Sequence, residues 1–123
     1  MGSATNNGTN IQLGDKAGGE NQKWIIDSDG FIVNPQSGKV VDISGLGTGN
    51  GTNIYLWEKI GAWNQKWTLD KDGYIINPQT GKVADIAGLG TAQGTNIYLW
   101  EKTGAWNQKW AFEEWPNLPP KVR

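Results

Sequence analysis

Three residue types recur together at fixed offsets: Asp42, Trp57 and Asn64, then Asp85, Trp100 and Asn107, each 43 residues further on. An aspartate carboxylate accepts hydrogen bonds from two neighbouring hydroxyls, and an asparagine amide offers both a donor and an acceptor. An exposed indole face covers the C–H face of a pyranose while the hydroxyl-bearing edge of the sugar meets Asp and Asn. Such a set suits a neutral sugar, held once per repeat. The same residues also have a plainer use: Asp42 terminates a strand, Asn64 orders a loop and Trp57 is a partly buried barrel residue. Trp63 and Trp106, directly before the Asn, serve either as a second pocket wall or as loop packing.

The rest of the composition narrows the chemistry. The chain has 123 residues, 11 basic and 12 acidic side chains, no cysteine, no histidine and eight tryptophans. That length predicts one domain, 1–123, with a modest core. A net charge of −1 gives no electrostatic reason to expect a nucleic-acid or anionic-membrane partner. Without cysteine and histidine there is no disulfide framework, thiol nucleophile, Ser-His-Asp arrangement or usual zinc site, and no cofactor is expected. No apolar run approaches the roughly 18 residues of a membrane span. Met1-Gly2-Ser3-Ala4 lacks the basic and apolar segments of a signal peptide, and Asn6 stands where myristoylation wants Ser or Thr.

The elements that must position these residues follow from internal repetition. Asn-Gln-Lys-Trp occurs at 21–24, 64–67 and 107–110, and Gly-Thr-Asn-Ile-x-Leu at 8–13, 51–56 and 94–99. Residues 25–67 and 68–110 match at 32 of 43 positions without a gap, and 8–24 is a partial third copy. Asp27–Gly30 and Asp70–Gly73 read as hairpin turns, in which Asp-Gly supplies the positive φ. Strands are expected at 31–33, 39–43, 53–59 and 65–69, and at the matching positions 43 residues later. No stretch carries a helical apolar period, so the fold class is all-β. Alternation puts Val41 with Ile43, and Ile54 with Leu56, toward the core. Tyr55 and Trp57 then face the other way with Asp42. Trp24, Trp67 and Trp110 are placed inside, and Trp57 and Trp100 outside.

Other motifs carry less. The Asp-x-Asp-Gly segments lack the further ligands and closing Glu of a calcium loop. Asn7-Gly8-Thr9 and Asn50-Gly51-Thr52 fit the glycosylation sequon, but Asn-Gly is also turn chemistry. Glycines 45, 47, 49 and 51 have no Walker-type ending, which argues against a phosphate cradle. Two carboxylates alone can hydrolyse a glycoside. Asp42 and Asp85, however, hold equivalent places in different repeats and would line separate pockets, so no enzyme is expected.

Three Gln-x-Trp motifs (Gln22-Lys23-Trp24, Gln65-Lys66-Trp67, Gln108-Lys109-Trp110), with Val41-Asp42-Ile43 and Ile54-Tyr55-Leu56-Trp57, make the chain resemble the ricin-B-chain-type lectin domain. The resemblance runs from Gly8 to Phe112. It implies a β-trefoil, three four-strand lobes around a pseudo-threefold axis, and calcium-independent binding of galactose, GalNAc or related sugars, xylan-type glycans among them. It places the hydroxyl-binding Asp at Asp42 and Asp85, the stacking aromatic at Trp57 and Trp100, and the Asn-Gln pair at Asn64-Gln65 and Asn107-Gln108. Loop backbone at Gly45 and Gly88 joins them. Where the family often has Gln two residues before the aromatic, this chain has Tyr55 and Tyr98.

The first repeat keeps Gln12, Asn21 and Gln22 but has Gly14 at the aromatic position, so that lobe is not expected to bind sugar by itself. Two full repeats and the partial one give ten of a trefoil's twelve strands, and the tail 111–123, with Trp115, is no copy of the missing pair. Three closures are open: the tails cover the gap, self-association or a second chain completes the trefoil, or the chain is a piece of a longer domain. The expected function is a lectin. A trefoil interaction module with vestigial sugar sites is the alternative. Family habit points to secretion, while the sequence leaves the compartment open.

Overall fold

The computed structural model describes residues 6–14 and 22–111. Within them run eight short strands: β1 (Ile25–Ile26), β2 (Ile32–Val33), β3 (Val40–Ile43), β4 (Ile54–Trp57), β5 (Thr68–Leu69), β6 (Ile75–Ile76), β7 (Val83–Ile86) and β8 (Ile97–Trp100). They form two antiparallel four-stranded sheets, β1-β2-β3-β4 and β5-β6-β7-β8. The hairpin turns form as the sequence predicts. Asp27 Oδ1 accepts from the Asp29 and Phe31 backbone N–H groups at 2.9 and 3.0 Å, and Gly30 takes φ 93°. Asp70 and Gly73 repeat the arrangement.

The strands expected at 31–33, 39–43 and 53–59 form with trimmed ends, as Ile32–Val33, Val40–Ile43 and Ile54–Trp57, while that at 65–69 loses its first three residues to a turn. Trp63–Gln65 and Trp106–Gln108 are single 3-10 turns, so the strand expected at 65–69 is confined to Thr68–Leu69. The cause is local: Gln65 N–H donates to Ala62 O, while its side-chain oxygen caps the Ile60 and Gly61 N–H groups. A backbone turned in to make these bonds cannot extend a ladder. Phe112, Asn21 and the tail with Trp115 lie outside the described residues.

The third lobe of the trefoil is represented, among the described residues, by the segment around Asn10–Leu13. It makes the isolated bridges Asn10↔Tyr55 and Gln12↔Asn96, matched by Asn53↔Tyr98. Asn10, Asn53 and Asn96, spaced by 43, close a ring: Asn10 Nδ2 donates to Asn96 Oδ1 (2.7 Å), Asn53 to Asn10 (2.9 Å) and Asn96 to Asn53 (2.9 Å). Around this axis the core gathers Ile11, Ile54 and Ile97, with Ile43, Leu99 and Trp67. Trp67 is buried and its indole N–H donates to Val41 O at 3.1 Å. Trp24 and Trp110 pack on the same core but remain partly exposed; both adjoin segments outside the described residues.

Candidate functional site

The site residues are set by one strand pair and one turn per lobe. In the register of β3 and β4, Asp42 lies opposite Tyr55 and Val40 opposite Trp57. Successive strand side chains alternate faces, so Asp42, Tyr55 and Trp57 share the face turned from the barrel core. The Tyr55 and Trp57 rings stack with centroids 5.3 Å apart at 25°. The same pairings place Asp85 opposite Tyr98, whose ring lies 5.3 Å from Trp100 at 24°. Trp57 and Trp100, expected outside, are half-buried. Tyr55 and Tyr98 thus add a second ring beside each indole.

The 3-10 turn delivers the amides. Asn64 Nδ2 donates to Asp42 Oδ1 at 3.1 Å and to Ile43 O at 3.3 Å; Gln65 Nε2 donates to Asp42 Oδ2 at 2.8 Å and to Glu58 O at 2.8 Å. Asn107 and Gln108 treat Asp85 alike, at 3.1 and 2.8 Å. Asp42 is 3% exposed and Asp85 4%. Burial pushes both carboxyls above the ordinary 3.8, against the opposing pull of the Gln65 and Asn64 bonds, or Gln108 and Asn107. Each carboxylate oxygen keeps accepting capacity beyond its one amide bond. Asn64 Oδ1 and Asn107 Oδ1 are buried with no hydrogen-bond partner, an uncommon state for a buried polar atom.

After the Asp strand the chain turns sharply at Ser44–Gly47, closed by Gly47 N–H to Ser44 O at 3.1 Å. Gly45 (φ 61°, ψ 21°) and Leu46 (φ 59°) are both left-handed, and a Cβ at Gly45 or Gly88 would meet nothing within 4 Å. The glycine thus serves the backbone angle and leaves open space beside the turn. Leu46 and Leu89, exposed and left-handed, were not singled out from sequence; backbone angle leaves no mark on apolar alternation. Trp63 packs on the core, whereas its counterpart Trp106 is 53% exposed. A cleft of about 490 Å³ between Ile26, Gly30, Trp67, Leu69 and Pro78 contains none of the expected site residues.

The family model for the ricin-type beta-trefoil lectin domain matches residues 1–110. The chain belongs to that family. Among solved structures, this lectin domain is similar to ThreeFoil, a designed threefold-symmetric protein, at 32% identity and TM-score 0.82, covering 89% of this chain and 84% of that one. It is similar to 1,3Gal43A, an exo-beta-1,3-galactanase from Clostridium thermocellum, at 29% identity and TM-score 0.76, over 87% of this chain and 25% of that one. The C-half of an earthworm R-type lectin, solved in complex with GalNAc, shares the fold at 22% identity and TM-score 0.71, over 88% and 82% of the two chains. No curated protein sequence is a significant match. Membership supports carbohydrate binding in general, with glycans as the class of partner.

Proposed function

We propose that the chain is a non-enzymatic lectin for galactose- or GalNAc-type sugars, organised as full repeats 25–67 and 68–110 with the partial repeat 8–24. One observation carries this reading: in both sheets an Asp held by an Asn-Gln pair shares a face with a stacked Tyr-Trp pair. The free lone pairs of Asp42 would accept sugar hydroxyls, Trp57 would stack on the ring, Asn64 would hold the carboxylate in place, and Gly45 would leave room for the ligand at the turn. The second site uses Asp85, Tyr98, Trp100, Asn107, Gln108 and Gly88. Relatives named for galactan hydrolysis and for a GalNAc complex favour this sugar class. The contacts proposed for the sugar use Asp and Trp side chains alone, so binding is proposed to be independent of calcium.

A stacking contact contributes about 0.5–1.5 kcal/mol by analogy with aromatic pairs, and hydrogen bonds to a carboxylate about 1.5–3. After the cost of association, roughly millimolar affinity per site is expected, with avidity from two sites on one glycan surface. The burial of Asp42 and Asp85 favours a second reading, an interaction module whose sugar sites are vestigial. A glycan array with EDTA present separates the two. The lectin reading expects signal on galactose, GalNAc or lactose, or on xylan-type ligands; silence across all of them would favour the interaction module.

A further inference from the structure

The two Asn-Gly-Thr segments recur at one structural place that the sugar reading leaves unused: the junction between lobes. Asn7 Nδ2 donates to Glu58 Oε1 at 3.1 Å, and Asn7 Oδ1 accepts from Glu58 N–H at 2.9 Å. Asn50 makes the same pair with Glu101, at 3.1 and 2.8 Å. Both partners lie 51 residues along the chain, so each Asn reaches out of its own repeat into the next. Glu58 and Glu101 directly follow Trp57 and Trp100. Gly8 N–H donates to Leu56 O and Gly51 N–H to Leu99 O, both at 2.7 Å. A Cβ on Gly8 would sit 4.0 Å from Trp57 Cζ3, and one on Gly51 3.8 Å from Trp100 Cζ3.

Every residue of the motif therefore has a task. Asn clamps the neighbouring Glu. Gly, at φ 87° in both turns, brings bare backbone against the indole. Thr returns its hydroxyl to the carbonyl three residues back, Asn6 O at 2.8 Å and Gly49 O at 2.7 Å. The clamp also continues inward: Glu58 O accepts from Gln65 Nε2, which holds Asp42, and Glu101 O accepts from Gln108.

We infer that each sugar site is completed by the preceding lobe, with Asn7 and Asn50 as positioning residues that seat Trp57-Glu58 and Trp100-Glu101. The inference rests on the lectin reading for its effect on binding, but the seating itself is independent of it. It has a crossed consequence. Asn50 lies in the loop after Asp42, yet it serves the site of Asp85 and Trp100.

The test uses the full chain with one site removed at a time. In a Trp57→Ala background, Asn50→Asp puts a carboxylate against Glu101 and weakens galactoside binding about three- to ten-fold, or about 0.6–1.4 kcal/mol. Asn7→Asp leaves that background unchanged. In a Trp100→Ala background the two substitutions exchange roles. Adding Glu101→Gln to Asn50→Asp restores the donor–acceptor pair at unchanged total charge, and with it the affinity. The indole N–H resonance of Trp100 in a ¹H–¹⁵N spectrum reports the seating without sugar: it shifts in Asn50→Asp, holds in Asn7→Asp and returns in the double variant. An unmoved Trp100 resonance, or equal losses in both backgrounds, would overturn the inference. Absent sugar binding with the Trp100 shift intact would instead fault the lectin reading alone.

Discussion

Asp42 is where the site's polarity and the fold's stability meet. Its carboxylate is nearly sealed from solvent and held by Asn64 and Gln65, with its pKa and that of Asp85 raised by burial. An acid whose folded value exceeds its unfolded one favours the folded state at low pH and loses that contribution as pH rises through the raised value. Asp42→Asn/Asp85→Asn removes this pH dependence, so the melting temperature of the double variant relative to the parent rises between about pH 3 and about pH 7. Asp70, lowered first by its bond from Tyr74 N–H, acts in the opposite sense and cancels in the comparison because both proteins carry it. Sugar affinity of the double variant falls about tenfold or more at neutral pH, near 1.4 kcal/mol; thermal melts and titrations check the two halves. Constant offsets in the sequence grouped Asp42 with Trp57 and Asn64, and the family resemblance added Gln65. That Tyr55 stands opposite Asp42 depends on strand register, and alternation alone gives only the shared face.

The element that frames the site is the loop between β3 and β4, and its tightest point is Gly47. A Cβ there would come within 2.6 Å of Thr52 Cγ2 and 2.9 Å of its Oγ1. Thr52 cannot yield easily, since its hydroxyl and N–H both bond Gly49 O and its carbonyl accepts from Leu99 N–H. Gly47→Ala therefore lowers stability by about 1–3 kcal/mol, the range for overpacking. Gly49→Ala, with nothing within 4 Å of its Cβ, stays within about 0.5 kcal/mol of the parent. Denaturant midpoints distinguish the two. The Gly-rich run reads in sequence as a loop without rank among its glycines; ranking them takes the distance to Thr52. The hairpins were legible because Asp-Gly chemistry is local, while the 3-10 turn at Trp63–Gln65 was not, because the Gln65 side chain that shapes it bonds backbone at Ile60 and Gly61.

At the scale of the whole molecule, the 43-residue period made a repeated all-β fold legible, the resemblance carried by the Gln-x-Trp motifs made it a trefoil, and the Asn10–Asn53–Asn96 ring shows how that period becomes an axis. The identical spacing marked the three asparagines as equivalent; their mutual bonding required three lobes to meet. Asp42 and Asp85 lie in separate sheets, and with each proposed site completed by the lobe before it the account predicts two independent sites rather than one shared pocket. Titrating the chain and its variants with a galactoside or GalNAc ligand, with stoichiometry read directly, tests this most directly. The account predicts two sites in the parent, one in Trp57→Ala, one in Trp100→Ala and none in the double variant, all four folded. Undiminished binding in the folded double variant would contradict it.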